Sequence, residues 1–534
     1  MTVYEPHDYQ VEAIRFGVER FLVDREHGVG FFLEPGLGKT SITLALRQIL
    51  ERFSQGGGIL LVAPLRVVYS VWPKETEKWD QFSEVTLSIV HGNETKRINA
   101  LNTAADIHLI NPDGVRWLTT YLMERELWDL DDRNRVVRVL KRMKLPTIAE
   151  ELDGGGPYVR IFQKPPKGED AAEYLTEARY GTFIRHCGLR LAREWNWLVI
   201  DESSQFKTHD ANRAQAMHAW THQFKRRSIL TGTPAPNGLI DLWSQVYFLD
   251  QGKALGKSLT AYRDRYFYKD GDQRYGRWVP YKESEPAIHK AISHLVLHLS
   301  AEDHLDLPPL IENDIFVDLS ADVMAKYRNL ERELFLELDG MESEIIIGSA
   351  GAMYSACKGV ANGGIYEHIE GEARKSHRVH DDKTEALVEL IGELQGKPLL
   401  VAYQYHHDLE RIRKRLKKAP AINGQTSAGA SEKLIDEWNA GTIPVLLVQP
   451  QALSHGVNMQ ASGNDIAWYG LTDNLETYIQ FNARVYRQGV TGQVRIHRIL
   501  ARGTVDEAVL ARIKSKDADQ RALLKALQTY RMML

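Results

Sequence analysis

Arg484 and Arg487, in the run QFNARVYRQG at 480–489, have a spacing that on a helix sends two guanidinium groups out of one face. Two cations held that way suit a phosphate chain. At the other end of the sequence, LEPGLGKTS (Leu33 to Ser41) offers the complementary chemistry. Gly36 and Gly38 let backbone N–H groups turn inward, Lys39 is placed to reach the β and γ phosphates of a nucleotide, and the Thr40 hydroxyl is placed to hold Mg²⁺. Leu37 and Ser41 complete this phosphate-binding stretch. Leu33 stands where the strict GxxxxGK[ST] pattern has its first glycine, so the reading rests on context: an apolar run GVGFF before the loop and a helical run ITLALRQIL after it.

WLVIDESSQFK is an apolar run ending in adjacent carboxylates. Asp201 suits the Mg²⁺ shell, and Glu202 suits orienting or deprotonating an attacking water. SILTGTPAPN closes a third such run with Thr231, Gly232 and Thr233, small groups able to hydrogen-bond across to a second lobe, while Pro234 fixes the exit of the chain.

These residues need strands to carry them. GVGFFLEP, GILLVAPL, WLVIDES and RSILTGTP read as buried parallel strands, each followed by turn residues and a helical pattern, and KPLLVAYQ, IPVLLVQP, DIAWYGLT and VRIHRIL repeat the cadence after Lys397. The expected fold class is α/β, with two doubly wound parallel-sheet lobes and helical insertions between and within them. The expected domains are an N-terminal lobe over 1–245 with an insertion at about 121–183, a helical linking region over 246–382, a C-terminal lobe over 383–502, and a helical extension over 503–534. Within the insertion, DRNRVVRVLKRMK reads as a basic amphipathic helix with Val136, Leu140 and Met143 on one face, and DGGGPYVRIFQKPPKGED as a turn or hairpin.

At 534 residues with 43% hydrophobic and 26% charged content, the chain has material for about three ordinary globular units. A net charge of -4 excludes a wholesale polycation, so any nucleic-acid surface must be a local groove or stripe. Cys187 and Cys357 lack a CxxC partner, which argues against a disulfide framework or a structural zinc site. No secretory signal or membrane span is legible. The expected location is a reducing cytoplasm.

The ordered set HDYQVEAI, LEPGLGKTS, LLVAPLRVVYSVWPKETEKW, VIDES, LTGTPAPN, LLVAYQ, LLVQPQALSHGVNMQAS and YIQFNARVYRQG closely resembles the Swi/Snf branch of superfamily 2 helicase-like motors, compact bacteriophage and bacterial members above all. The resemblance spans Tyr4 to Lys516. It implies RecA-like lobes and an ATPase: Gln10 recognises adenine, Gly36, Leu37, Gly38, Lys39, Thr40 and Ser41 bind the phosphates, and Asp201 and Glu202 serve the metal and the water. Arg484 and Arg487 become arginine fingers with Gln480 nearby, and Gly456 and Asn458 belong to a segment that senses both DNA and ATP. The cofactors implied are ATP and Mg²⁺. This chain departs from the family in reading DESS where DEAH or a similar ending is usual, with Ser203 and Ser204 replacing the last two residues, and in Val490 after RQG.

The resemblance further implies double-stranded DNA as a partner, gripped by its phosphates with little base specificity, through Pro64, Arg66, Asn111 within INPDG, Gln404, and Gln449 to Ser454. The reading is thus a DNA-dependent ATPase that translocates on duplex DNA. Two alternatives stand beside it: a strand-separating DNA or RNA helicase, and a DNA-binding docking factor with a slow ATPase.

Overall fold

A computed structural model of the chain describes residues 2–125, 133–143, 145, 149–150, 154, 195–208, 212–271, 277–340, 344–367, 375–453 and 457–517. Most of the expected insertion, the hairpin within it, Ser454, Gly456 and the stretch after 517 lie outside the described residues.

The chain divides into two compact units, one built on Met1–Gly271 with Gly276–Ser300 and the other on Ala301–Asp519. In the first, the strands are β1 (Gly28–Leu33), β2 (Gly58–Val62), β3 (Leu87–Val90), β4 (Ile107–Ile110), β5 (Trp195–Asp201), β6 (Arg226–Thr231), the hairpin β7 (Phe267–Asp270) and β8 (Arg277–Pro280), and β9 (Val296–Leu299). Seven of these form one parallel sheet among the described residues, in the order β3-β4-β2-β5-β6-β1-β9. Every residue of β1 and β6 is buried, as expected of central strands covered on both faces, which is why they read as continuous apolar runs rather than alternating ones. A Cβ on Gly28 would lie 2.4 Å from the Leu249 carbonyl oxygen, so the absence of a side chain lets the helix Leu242–Asp250 press onto β1.

The second unit holds β10 (Ile311–Val317), the hairpin β11 (Gly364–Glu367) and β12 (Lys375–Arg378), β13 (Leu399–Ala402), β14 (Ala421–Ile422), β15 (Val445–Val448), β16 (Asp465–Trp468) and β17 (Arg495–Ala501). Its sheet runs β10-β17-β16-β13-β15-β14 and is again wholly parallel. Both sheets, with helices packed on them, give the α/β fold class expected from the sequence, two RecA-like lobes. No helix among the described residues is long and apolar enough to cross a membrane.

Two expectations need correction. Residues 246–382, read as helical, do contain the long helices Ala321–Gly340 and Glu344–Asn362, but they also supply β9 to the first sheet and β10 to the second. The residues of β10 are exposed or half-buried, because it is an edge strand, and so it lacks the apolar run that marks a central one. Helix 505–517, read as an extension, is part of the second core: Val505, Val509, Leu510 and Ile513 are buried there, and the ammonium of the fully buried Lys383 lies 2.5 Å from Asp506.

The basic helix Arg133–Arg142 turns Val136 and Leu140 into the first core and leaves Arg138, Lys141 and Arg142 exposed, the amphipathic arrangement its sequence predicts.

Candidate nucleotide site and nucleic-acid loops

The loop from Glu34 to Gly38 joins β1 to the helix Lys39–Arg52, and Gly36 (φ 96°) and Gly38 (φ 77°) both adopt the left-handed backbone that only glycine enters without cost. At Gly38 the space is also taken: a Cβ there would sit 2.3 Å from Gln10 Nε2. Gln10, buried on the helix Asp8–Val18, donates from Nε2 to the Leu37 carbonyl at 3.3 Å and accepts on Oε1 from the His7 backbone N–H at 3.1 Å. The residue expected to read adenine is therefore fastened to the phosphate loop itself. Lys39 Nζ donates to the Leu33 carbonyl at 2.9 Å, and Ser41 Oγ donates to the Gly38 carbonyl at 3.0 Å. Thr40 is buried in the first turn of the helix, where backbone N–H groups and the helix dipole favour an anion.

Asp201 is the last residue of β5 and is buried. Its carboxylate accepts from Trp72 Nε1 at 3.1 Å and from the Glu202 backbone N–H at 3.1 Å. Burial pushes the Asp201 carboxyl up to about 6, the Glu202 charge adds to the push, and Lys39 opposes it. Two carboxylates against one ammonium make a site short of positive charge, which fits a divalent cation held by Asp201 and Thr40. Magnesium commonly takes only one or two protein groups alongside phosphate oxygens. Glu202 itself has φ 55°, a left-handed backbone conformation that is strained for a residue with a Cβ.

β6 lies between β1 and β5, so the loop that follows it meets both neighbours. A Cβ on Gly232 would stand 3.0 Å from Pro35 Cδ and 3.2 Å from the Leu33 carbonyl oxygen, which places this loop hard against the phosphate loop. The Thr231 hydroxyl accepts from the Thr233 N–H at 3.1 Å, and Thr233 Oγ1 is buried with no partner among the described residues.

The arginine pair differs from expectation in its local structure. The helix Leu475–Asn482 ends before Arg484, and Arg484 and Arg487 lie in the turns that follow. There the backbone bonds tighten to three-residue turns, Arg484 N–H donating to the Phe481 carbonyl and Val485 N–H to the Asn482 carbonyl, each at 3.1 Å, while the Asn482 side chain accepts from Trp468 Nε1 at 3.0 Å. Arg484 is buried and Arg487 half-buried, and Gln480 on the helix donates to Glu476 Oε1 at 3.4 Å. The Arg484 carbonyl accepts from the Met459 N–H at 2.9 Å, joining the arginine turn to the segment that contains Asn458, whose own carbonyl accepts from Asn439 Nδ2 at 2.9 Å.

Each unit also brings its expected nucleic-acid residues together. Pro64 and Arg66 follow β2, Asn111 follows β4, and those strands are parallel neighbours whose loops share one sheet edge, linked by Ala63 N–H to the Ile110 carbonyl at 3.0 Å. Asn111 Oδ1 is buried with no partner among the described residues. In the second unit Gln404 follows β13 and Gln449 follows the adjacent β15, and Gln449 Nε2 donates to the Gln404 carbonyl at 3.3 Å.

Trp72 was invisible as a site residue in the sequence. Its indole N–H donates to the Asp201 carboxylate across a separation of 129 residues, and nothing in the local sequence distinguishes it from Trp79 in the same run.

Comparison with known proteins gives a concordant picture. The profile of the SNF2-related domain matches residues 9–355, and that of the helicase conserved C-terminal domain matches residues 382–489. Protein p41 of Acyrthosiphon pisum secondary endosymbiont phage 1 is 32% identical over 507 residues, covering 92% of this chain and 93% of the relative. Transcription regulatory protein SNF2 of Saccharomyces cerevisiae is 23% identical over 95% of this chain, which spans 27% of that protein's length. DNA repair and recombination protein RAD54B of Gallus gallus is 24% identical over 63% of the chain and 41% of its own length. A solved structure, the Sulfolobus solfataricus SWI2/SNF2 ATPase core in complex with dsDNA, aligns with a TM-score of 0.38 and 19% identity over 99% of this chain and 98% of that one. With the SNF2-related profile on the larger part of the chain and the helicase C-terminal profile after it, the chain belongs to the Swi/Snf branch of the superfamily 2 helicase-like ATPases.

Proposed function

We propose that this chain is an ATP-dependent motor that moves along double-stranded DNA without reading its sequence. One observation carries the reading: the phosphate loop after β1, the acid pair after β5, the Gly232 loop after β6 and the expected DNA-gripping loops after β2 and β4 all leave the same edge of one parallel sheet. Chemistry at the nucleotide and a change of grip on a DNA strand can then be coupled through neighbouring loops, since β2, which leads to Pro64 and Arg66, pairs directly with β5, which carries the acid pair.

In this reading Gln10 selects adenine, and the N–H groups from Gly36 to Ser41 and the Lys39 ammonium bind the phosphates. Thr40 and Asp201 hold Mg²⁺, which supplies charge neutralisation on the phosphate oxygens. Glu202 orients the attacking water and takes its proton. Arg484 and Arg487 serve as arginine fingers on the transferring phosphoryl group, so hydrolysis depends on both residues. Asn458 moves with the arginine turn through Met459, and Gln404 and Gln449 hold the strand from the second unit, as Pro64, Arg66 and Asn111 do from the first. Phosphate contacts of this kind fix position and leave the bases unread.

The test is ATP hydrolysis with duplex DNA, single-stranded DNA and RNA, run beside triplex displacement and fork unwinding, with Lys39→Ala as the inactive control. Duplex DNA should stimulate most, triplexes should be displaced and forks should stay paired. Hydrolysis indifferent to nucleic acid would refute the motor and favour the docking factor. Efficient fork unwinding, or stronger stimulation by a single strand, would favour the helicase.

A further inference from the structure

Ser203 and Ser204, which depart from the family's usual acidic motif, are fully buried, so they do not face solvent or ligand. The Ser203 hydroxyl donates to Gln245 Oε1 at 2.8 Å. Gln245, fully buried on the helix Leu242–Asp250, donates from the other end of its amide to the Pro234 carbonyl at 2.6 Å and to the Asp241 carbonyl at 3.0 Å. Asp241 in turn accepts on its carboxylate from the Asn237 N–H at 2.9 Å. A second tie runs from the same helix, where Ser244 Oγ donates to the Phe206 carbonyl at 2.6 Å. The acid turn and the loop after β6 are therefore bridged by one side chain that uses both ends of its amide.

The bridge sits beside a strained residue. Glu202 holds φ 55°, and such a conformation persists in a side-chain-bearing residue only where the surroundings over-determine it. Asp201 receives the Glu202 N–H on one side, and Gln205 N–H donates to the Glu202 carbonyl at 3.0 Å on the other. Gln245 anchors the next residue, Ser203, and does so from a helix that also carries the Pro234 loop.

Resting on the ATPase reading above, we propose that Gln245 is a positioning residue that locks the acid turn to the loop after β6, so that the aim of Glu202 at its water depends on where that loop stands. Gln245 touches neither ATP nor metal; it acts through Ser203. In this chain the hydroxyl and the amide take over the communication that the usual ending of the acidic motif would serve.

The test is a cycle of Gln245→Met, which keeps the shape and removes the amide, Ser203→Ala, and the pair together, in the full-length chain with duplex DNA. Steady-state kcat and KM for ATP and thermal unfolding are the readouts. Small misplacements of a catalytic group cost up to about 100-fold in rate, so kcat should fall between about 10- and 100-fold in either single variant. KM for ATP should stay within about twofold of the wild type, because ground-state binding is untouched. The double variant should lose no more than the worse single one, since both changes break the same link. A folded Gln245→Met chain with wild-type kcat overturns the proposal, as does a defect confined to KM or losses that multiply in the double variant. If Gln245→Met does not fold, Ser203→Ala carries the same decision: wild-type kcat overturns the proposal, and reduced kcat at unchanged melting supports it. A wild-type chain that hydrolyses no ATP overturns the ATPase reading itself and the proposal with it, an outcome distinct from an active wild type matched by its variants.

Discussion

Asp201→Asn should change the stability of the chain in opposite directions at low and neutral pH. In the folded chain burial and the Glu202 charge raise the Asp201 carboxyl from 3.8 to about 6, which corresponds to about 3 kcal/mol of preference for the protonated form. The sign follows from the raised value. Stability from this group is complete below pH 3.8, declines as the pH climbs, and is fully lost above about 6, where the buried carboxylate must carry its charge. Asparagine never carries that charge. Its amide also sets an NH₂ group against one of two donors, the Trp72 indole or the Glu202 N–H, where the carboxyl keeps an oxygen in either protonation state, so a hydrogen bond is lost at about 1 kcal/mol. The variant should therefore be less stable than the wild type by about 1 kcal/mol at pH 4 and more stable by about 2 kcal/mol at pH 7.5. Urea unfolding followed by tryptophan fluorescence, in EDTA so that no divalent cation contributes, measures both differences. A difference of the same sign at both pH values would refute the reasoning. The same substitution should abolish hydrolysis, because the group whose charge destabilises the fold is the one proposed to hold Mg²⁺.

Three further outcomes are expected. Arg487→Ala should reduce single-turnover hydrolysis by about 10³-fold or more while leaving nucleotide binding in place, and unimpaired turnover would remove it from the reaction. Gly38→Ala forces a Cβ to 2.3 Å from Gln10 Nε2 at a left-handed backbone position, so ATP should bind more weakly and lose its advantage over GTP in a competition assay. Lys383→Met leaves Asp506 buried without its ammonium partner and should destabilise the second unit by about 3–5 kcal/mol in chemical unfolding, with much of the loss recovered when Asp506→Leu is added.

Most central strands and the loops behind them are legible in the sequence because a parallel strand covered on both faces leaves an unbroken apolar run. GVGFF, ILLV, WLVID and SILT became β1, β2, β5 and β6, and LLVA, VLLV, DIAW and the run before Ala501 became β13, β15, β16 and β17. β4 and β9 escape although wholly buried, because His108 and His298 interrupt runs of only four residues, whereas the edge strands β3 and β10 escape for the converse reason. β3 alternates between buried and half-buried residues, and β10 exposes most of its length, so neither carries the signal. The helix expected to display both arginines stops at Asn482, where the backbone tightens into three-residue turns that residue spacing alone does not mark.

By itself the sequence determined the chemistry on offer: a glycine loop with a lysine, an adjacent acid pair, a small-residue loop, and an arginine pair, in the order of one family of ATPases. These are short-range patterns, and residue type and spacing define them. Only the tertiary structure decided which groups control one another. The Trp72 hydrogen bond to Asp201, the Gln10 contact with the phosphate loop and the Gln245 bridge join residues brought together by the order of strands in the sheet. A raised carboxyl and a strained glutamate are products of burial and packing, quantities that depend on every neighbour at once and so are not written at any single position in the chain.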